Sequence, residues 1–552
     1  MAPPRDHGAG TPQVWALALL IAIASCTSSS TAPPTEVLAK DQTLSFPLRS
    51  DVADFDPAQV ASAADVDILR NVFSGLYKFD DALKEVPDIA IGPPDITPDG
   101  ITYTFHLRHD AKFSNGDPIS AADFIYSWNR SAAKQGEYAP LFAPLVGYDD
   151  LVAGRTKTLS GLAQVDNYTF TSKLVKPAGY WYAEVALWPF WLVDQNVIAK
   201  AGDDKWFTSV DTLIGSGPFR MTAHVPGLTL DFEPVTPWYG GPTGALKHVH
   251  AEVIADPKVQ ATKYETGVYS LIGYGRQSLA PADAIRYSSD PAHELQLVPQ
   301  ATTFWIGFNL RTGPFAGDAG KAGRHAFSTS IDRAQLVDAV CSKGTSCIAA
   351  TGGVIAPDLQ GYLGDGTDPN AKFDLKAAKD EYIAWDPTGT KVRGLTYTFD
   401  ADPFNQAVCD NLAAQWQKNL NVAVQCTSLD DRRDFFNTRN NKCGYPLFRN
   451  SWSADYDHPQ NWFDYLFVSG AASSGSCYAN PAVDALVHGA DGKPLAEAIA
   501  DYKQAGDTLV TDVAYGALVY GVQQYLVHTY VRGAGGNALY DFSWTDAKII
   551  NH

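Results

Sequence analysis

The segment from Pro98 to Arg130 constrains the fold more than any other part of the chain, because several local signals follow one another in it. A Pro-Asp-Gly turn opens it, and residues 102–108 then alternate apolar and polar side chains, which predicts a half-buried strand. After an Asn-Gly-Asp-Pro turn, Ser120 and Asp123 have the spacing of a helix capping box. The segment therefore predicts a strand, a turn and a capped helix.

The first 40 residues predict export. An apolar run from Val14 to Ala24 is too short to cross a bilayer as a helix but fits the core of a signal peptide. It leads to Cys26 through small residues, a pattern that resembles a bacterial lipobox. We expect a signal peptide over 1–25, a lipidated Cys26 and a flexible tether over 26–40, which hold the protein at the extracytoplasmic face of the cell membrane. The alternative is an ordinary signal peptide with an incidental cysteine.

Size and charge limit the class of protein. The chain has 552 residues, and the part after residue 40 is too long for one hydrophobic core, so two or three domains are expected. Its 61 acidic and 42 basic side chains give a net charge of -19, which argues against nucleic acid as a partner. Helix and strand patterns alternate, as in α/β domains. Residues 323–340 predict two helices with a break near Ser330, and residues 405–420 a helix followed by a strand from Val422.

Six further cysteines lie in the C-terminal half, and an even number in an exported protein predicts disulfides. Several pairings are possible; we predict that sequence neighbours pair, as Cys341–Cys347, Cys409–Cys426 and Cys443–Cys477. The competing interpretation is a metal site. The spacings contain no CxxC and no histidine at the distance that zinc fingers use, so we predict no metal and no cofactor.

No catalytic motif is present in the sequence. It lacks HExxH, GxSxG, a P-loop and a GxGxxG at a strand-to-helix turn, and Asp455 with Asp457 has only the spacing of a turn. We therefore expect a binding protein and not an enzyme.

Six motifs in order along the chain carry a family resemblance. They resemble the family 5 extracytoplasmic solute-binding proteins of peptide and nickel ABC importers, and most closely the oligopeptide-binding lipoproteins. They are Asp56-Pro57 with Val72–Leu76, TYTFHLR with its helix at 102–130, Gly215–Phe219, Gly307–Asn309 with Pro314-Phe315, Arg324–Ala326 with Ile331–Arg333, and Trp452–Pro459.

The resemblance implies an α/β fold of the periplasmic-binding-protein type II, with two lobes, a hinge and three domains, one of them an extra insert. By position we expect domain I at 41–73, 204–300 and 522–552, the insert domain II at 74–203, and domain III, the second lobe, at 301–521. The opening motif then lies in the insert domain and not in the cleft between the lobes.

The same resemblance implies the ligand site. It gives Asp455 the role of binding a ligand ammonium, because a charge buried between lobes needs a partner. It also implies that a peptide adds as a strand between two backbone segments. Those segments are Ala61-Ser62-Ala63 and Ser451-Trp452-Ser453, with Trp452 also forming a pocket wall.

Four other residues have less direct matches to the family pattern. Arg439 and Arg449 correspond to arginines that precede the family's aspartate and offer a fork to a ligand carboxylate; Arg439 is displaced by one residue. The alternative for both is a structural ion pair. Tyr138 matches a pocket tyrosine of the insert domain, and Tyr520 is a looser match near the hinge.

The sequence thus predicts a monomeric, lipid-anchored receptor that captures peptides of about two to five residues and delivers them to an ABC permease. One alternative keeps the fold and changes the ligand to haem, a nickel chelate, glutathione or an oligosaccharide. Another is a surface sensor that does not serve a transporter.

Overall fold

A computed structural model describes residues 36–290, 294–540 and 542–552. The predicted signal peptide, Cys26 and most of the predicted tether lie outside the described residues. Within the described ranges, no helix combines the length and the apolar character that a membrane crossing requires.

The described residues contain nineteen strands, whose lengths range from two to fourteen residues. They are β1 (Thr43–Leu48), β2 (Tyr77–Phe79), β3 (Glu85–Pro87), β4 (Asp95–Ile96), β5 (Thr102–His106), β6 (Leu162–Asp166), β7 (Thr169–Lys173), β8 (Phe219–Val225), β9 (Thr229–Pro234), β10 (His248–Val253), β11 (Leu271–Ile272), β12 (Leu295–Phe308), β13 (Cys347–Ala349), β14 (Thr396–Asp400), β15 (Gln425–Leu429), β16 (Leu447–Ser453), β17 (Tyr515–Val527), β18 (Val531–Arg532) and β19 (Lys548–Ile549).

Fifteen α-helices and three short 3₁₀ turns, at Ala139–Phe142, Trp188–Phe190 and Pro369–Ala371, are interspersed with these strands in the same ranges. The helices are α1 (Ala63–Leu69), α2 (Ala121–Lys134), α3 (Tyr148–Val152), α4 (Trp181–Glu184), α5 (Gln195–Ala201), α6 (Pro257–Glu265), α7 (Pro281–Ser288), α8 (Gly317–Thr329), α9 (Arg333–Val340), α10 (Leu375–Trp385), α11 (Pro403–Leu420), α12 (Arg432–Lys442), α13 (Gln460–Leu466), α14 (Pro481–Asp491) and α15 (Leu495–Asp512).

The strands form three larger sheets. The largest has the order β11-β17-β12-β16-β14-β15 with β13 also paired to β17, and β14 runs parallel to both of its neighbours. A second sheet has the order β1-β10-β9-β8, in which β1 and β10 are parallel. The third, β4-β5-β7-β6, is antiparallel, and β2-β3 and β18-β19 form separate pairs. The fold is therefore mixed α/β.

The structure confirms the elements predicted for the Pro98–Arg130 segment. Strand β5 buries alternate side chains, and Phe105 on its inner face is fully buried. The Asp123 carboxylate accepts hydrogen bonds from the Ser120 N–H at 2.9 Å and the Ser120 hydroxyl at 2.7 Å, at the start of α2. The aromatic face of α2 contacts β5, where the Trp128 ring lies 5.9 Å from that of Phe105.

Two other predicted regions have the expected order of elements with different bounds. Helices α8 and α9 are separated at Ser330 as predicted, but α8 begins at Gly317. After α11 the predicted strand from Val422 is wrong in its start, because β15 begins only at Gln425. The helix ends at Asn421, which has a left-handed backbone (φ 57°), and the buried Val422 then packs into the core before pairing with β14 begins.

The predicted disulfides are present. Cys341–Cys347 joins the end of α9 to β13, with 5.0 Å between the Cα atoms. Cys409–Cys426 joins α11 to β15 at 5.9 Å, and Cys443–Cys477 joins the end of α12 to the segment before α14 at 6.1 Å. Each bond fastens a helix, or its end, to another element.

Buried side chains form distinct cores. One contains residues from both ends of the described chain, so that the Trp544 ring lies 6.3 Å from that of Phe46. Two others, around Trp462 and Trp416, draw almost all their members from residues 301–520. Residues 38–552 form one compact unit, and the division into three domains stays a prediction.

Candidate ligand-binding site

Asp455 lies just after β16, where the chain leaves the seven-stranded sheet. Its carbonyl oxygen accepts a hydrogen bond from the Tyr540 hydroxyl at 3.0 Å, and its N–H donates to Asn461 Oδ1 at 3.1 Å. Its carboxylate accepts two longer hydrogen bonds of 3.4 Å, from the Tyr138 hydroxyl and the Asn461 amide. Residues distant in sequence therefore meet at this one aspartate.

The groups that act on the Asp455 carboxylate are neutral or acidic. Burial raises the pKa of Asp455 to about 6, the hydrogen bonds from Asn461 and Tyr138 lower it, and the exposed Glu137 carboxylate nearby raises it. A carboxylate in such a place gains free energy when a cation arrives, because the cation offsets the cost of desolvation. The arrangement is chemically suited to an ammonium group.

Asn461 is a part of the site that our sequence reasoning missed. Its side chain is fully buried at the start of α13, and its Oδ1 accepts from both the Trp452 indole N–H at 3.0 Å and the Asp455 N–H. Its amide therefore links two of the predicted ligand residues. An asparagine in the first turn of a helix resembles an ordinary capping residue, so nothing in the sequence separates it from that role.

The predicted segment Ser451–Ser453 lies on a partly open strand edge. On one side β16 pairs with β12, with Ser453 opposite Thr302. On the other side β14 pairs only with residues 447 and 448, and no strand of the described residues continues the ladder. The Ser451 N–H donates instead to the side chain of Asn450 at 3.0 Å. Backbone groups at this edge can accept an added strand.

The other predicted backbone segment, Ala61-Ser62-Ala63, leads into helix α1. Ser62 has extended backbone angles, but Ala63 begins α1, and the Ser62 carbonyl accepts the first N–H groups of that helix. The segment is therefore extended at Ser62 and helical from Ala63, and its pairing with a ligand stays a prediction. The segment is exposed, and the carbonyl of Val60 before it accepts the Trp188 indole N–H at 2.9 Å.

Tyr138 connects that region to Asp455. Its ring lies 4.5 Å from the ring of Trp188, edge to face, while its hydroxyl reaches the Asp455 carboxylate. The contact with the carboxylate also raises the pKa of Tyr138 above its usual range, so the hydroxyl stays a donor. The structure thus brings Tyr138, Trp452 and Asp455 together, with Val60 and Trp188 beside them.

Both predicted arginines have internal partners. Arg449 is buried and donates to Asp400 Oδ1 at 2.5 Å and to the Ser451 hydroxyl at 2.9 Å. Arg439 is also buried and donates to the side chains of Asn440 and Asn450, each at 2.8 Å. Burial, with the charge of Arg449 next in effect, lowers the pKa of Arg439 to about 9. Arg449 is already neutralised by a carboxylate, whereas the contacts of Arg439 are with neutral amides.

The hydroxyl hydrogen bonds of Tyr520 are with the backbone at Gly352 and Gly353, and none is with Asp455. Tyr520 is buried in β17, where its hydroxyl donates to the Gly353 carbonyl at 2.8 Å and accepts the Gly352 N–H at 3.0 Å. Tyr540, which the sequence did not single out, contacts Asp455 instead. Only the tertiary fold shows which of the two tyrosines reaches the aspartate.

A cavity of about 560 Å³ lies beside this cluster, within the range typical of small-ligand sites. Trp188 and Tyr540, which contact Tyr138 and Asp455 respectively, are among its walls. Its lining also contains Arg70 and Lys78 as cations, together with further aromatic and acidic side chains. A group bound at Asp455 therefore has a roomy, mixed-polarity compartment next to it.

The family sequence model described as bacterial extracellular solute-binding proteins, family 5, matches residues 84–474 of this chain. The match covers most of the chain, which therefore belongs to this family. The periplasmic murein peptide-binding protein MppA of Escherichia coli K12 is 24% identical over 552 residues, covering 97% of this chain and 98% of MppA. The periplasmic oligopeptide-binding protein OppA of Haemophilus influenzae Rd is 24% identical over 514 residues, covering 90% and 92%.

Solved structures agree on the fold. The unliganded open form of MppA superposes with a TM-score of 0.80 at 23% identity, over 94% of this chain and 99% of that structure. The mixed α/β fold is thus the type II fold of periplasmic binding proteins, as the sequence resemblance implied.

Proposed function

We propose that this protein captures short peptides of about two to five residues and delivers them to an ABC permease. The observation that carries the proposal is the Asp455 carboxylate, held by Tyr138 and Asn461 among groups that are neutral or acidic. A peptide ammonium supplies the cation that this carboxylate lacks. Named relatives that bind oligopeptides and murein peptide support the same ligand class.

The open edge of β16 favours a peptide over other ligands that carry a positive charge. A peptide that adds as a strand beside Ser451–Ser453 satisfies its own N–H and C=O groups by main-chain hydrogen bonds. Such binding depends little on side-chain identity. Side chains that turn away from the edge have the adjacent cavity to enter, where water can fill the remaining space.

The carboxylate end is assigned to Arg439 in preference to Arg449. The charge of Arg449 is already paired with the Asp400 carboxylate, which weakens its attraction for a second carboxylate. Arg439 has no ion pair with a carboxylate of the described residues, although Asp400 acts on it from farther away, and its partner Asn450 lies on β16 next to Ser451. Arg439 would therefore attract the ligand carboxylate by its charge, at the part of β16 where Asn450 and Ser451 lie.

The wider arrangement follows the family pattern. In this proposal domains I and II form one lobe and domain III the other, with linkers as the hinge, and the protein works as a monomer. A lipid on Cys26 would keep it beside the permease after removal of residues 1–25. Closure on the ligand shifts the population toward the form that docks on the permease.

Calorimetric titration with a tripeptide and its N-acetylated form tests the proposal. We expect acetylation to weaken binding by about 3 kcal/mol, on the order of 100-fold in Kd, because a buried charge then lacks its partner. Asp455→Asn should weaken the free peptide similarly and leave the acetylated one unchanged. Asp457→Asn is the matched control, because Asp457 lies two residues after Asp455 and its carboxylate accepts the N–H of the distant Gln360. Equal affinity of the two peptides for the native protein would refute the ammonium site.

A further inference from the structure

Four buried polar atoms without a hydrogen-bond partner lie on neighbouring residues: Asp464 and Asp491 act on Glu184, and the His458 ring lies 5.6 Å from that of Tyr502, whose hydroxyl donates to Asp491. The four atoms are Glu184 Oε2, His458 Nε2, Asp464 Oδ1 and Asp491 Oδ2, half of the eight such atoms in the described residues. We name these four residues the buried acid cluster. Unsatisfied buried groups are rare in folded proteins, so such a concentration requires a physical explanation.

The cluster joins two parts of the chain that are far apart in sequence. Glu184 ends α4, and its Oε1 accepts from the Tyr456 hydroxyl at 3.2 Å. The Gly179 N–H, on the same side, donates to the Asp491 carbonyl at 2.7 Å, at the end of α14. In the predicted domain map this is where the insert domain meets the second lobe, so the cluster lies within a contact between lobes.

A proton explains two of the unsatisfied oxygens at once. One oxygen of Asp464 accepts from Gln460 at 2.9 Å, and one oxygen of Asp491 accepts from the Tyr502 hydroxyl at 2.7 Å. The remaining oxygens have no donor, and the two carboxyl groups lie within hydrogen-bonding reach of each other. A single proton between Asp464 and Asp491 satisfies both, and a second on Glu184 removes its charge.

A cation is a less suitable occupant. Within the part of the chain that the structure describes, no group of three or more His, Cys, Asp or Glu side chains is arranged to hold a metal ion. The two basic groups that act on Asp464, Lys176 and His488, are on exposed side chains. Glu184 and Asp491 are each only 2% exposed, so these carboxyls are shielded from solvent cations.

We propose that protons are the ligand of the buried acid cluster, so that the contact between residues 179–184 and helices α13 to α15 forms with proton uptake and separates as protons leave. The proposal needs the predicted division into lobes but not the identity of the ligand. It makes the contact between the lobes sensitive to the pH outside the cell.

The direction of the pH effect follows from the state in which the carboxyl groups are buried, which is the formed contact. Burial raises the pKa of Asp491 to about 7, with the neighbouring Asp464 adding to the shift, and burial raises the pKa of Glu184 well above its usual range. Separation returns both toward their ordinary values near 4. The contact therefore holds more protons than the separated state. It is strongest in acid and weakens as the pH rises from about 4, and the contribution of Asp491 is fully lost above about pH 7.

His458 and the tyrosines around the cluster stay in one state over this range. Burial lowers the pKa of His458 to about 3, so its ring is neutral. The tyrosines that face the cluster keep their protons because burial raises the pKa of each; they are Tyr180, Tyr456, Tyr465 and Tyr502. Asp455 acts on Glu184 from the ligand site and raises its pKa further, and burial raises the pKa of Asp455 itself to about 6. The pH response therefore falls on the three carboxyl groups of the cluster and on Asp455, and the cluster variants below measure the share of the cluster.

Amide hydrogen exchange of the ligand-free protein between pH 5.5 and 8.5 tests this. The Gly179 N–H is the reporter because its acceptor is the Asp491 carbonyl across the contact. After correction for the intrinsic exchange rate, we expect the opening constant around Gly179 to rise with pH, by up to about tenfold per pH unit for each proton lost on opening, and the part due to Asp491 to level off above about pH 7. Asp491→Asn and Glu184→Gln, one on each side of the contact, should each reduce that slope.

The exposed Asp507 on α15 provides the matched control, since Asp507→Asn should keep the native slope. A flat opening constant in the native protein would overturn the proposal. So would a native slope in both cluster variants. An opening constant that follows added Na⁺ or Ca²⁺ at fixed pH would assign the cluster to a cation instead. Because no peptide is present, none of these results depends on peptide binding.

Discussion

The affinity for a peptide should fall steeply when the solution is acidified below pH 6. Binding through an ammonium requires an ionised Asp455, whose pKa in the ligand-free protein is about 6. Below that value a proton competes with the ligand for the same carboxylate. The bound ammonium lowers the pKa of Asp455, so the complex is the state that holds fewer protons, and acid therefore favours dissociation.

The size of the effect follows from the ionised fraction. With a pKa of about 6, roughly nine-tenths of Asp455 is ionised at pH 7 and roughly one-tenth at pH 5. The Kd should therefore rise about tenfold between pH 7 and pH 5. Between pH 6.5 and 7.5 it should be almost constant, and above about pH 8 it should rise again as the peptide amine loses its proton.

Calorimetric titrations at half-unit pH steps, with a tripeptide of uncharged side chains, measure this profile. Asp455→Asn is the essential control, because an amide at this position should abolish the acid limb and leave any other pH response in place. Acid weakens peptide binding at Asp455 but strengthens the contact between lobes through the buried acid cluster. The Asp455→Asn variant separates these two effects, because it removes the first and keeps the residues of the cluster. A native Kd that stays within twofold from pH 5 to pH 7 would refute the reasoning.

Two further changes have defined outcomes. Asn461→Ala should weaken peptide binding by roughly 1–2 kcal/mol, since Asp455 loses two hydrogen bonds, and should move the acid limb upward in pH; an unchanged limb in titrations of this variant would contradict its positioning role. Trp128→Ala should lower the free energy of unfolding by about 3–5 kcal/mol, because a fully buried ring that also donates to the Phe190 carbonyl is lost. Denaturant unfolding measures it, and a loss below about 1 kcal/mol would contradict the packing.

Features set by neighbouring residues were predictable from the sequence. Strand β5 and the Ser120–Asp123 cap depend on side chains a few positions apart, so the pattern itself contains them. The family motifs add Asp455, since the residues around it match as one short run. The start of β15 was missed because the buried Val422 satisfies a strand pattern while packing without a strand partner.

Contacts between distant residues were not predictable in the same way. Arg449 and Asp400 are 49 positions apart, and no sequence pattern shows that they form a buried ion pair. The choice between Tyr520 and Tyr540 depends on how the C-terminal chain returns across the fold, which no local sequence pattern shows. The partners of a site residue are set by tertiary packing, which a motif does not record.

The open edge of β16 has a consequence for the protein when it is empty. Folded proteins cover or shorten unpaired strand edges, because such an edge can recruit a strand of another molecule. A receptor that binds peptides by strand addition has to leave one uncovered. Here the uncovered stretch is short, from Arg449 to Ser453, and the chain turns away at Asp455. Bound peptide would then also act as a cover against self-association, so concentrated protein should store better loaded than empty.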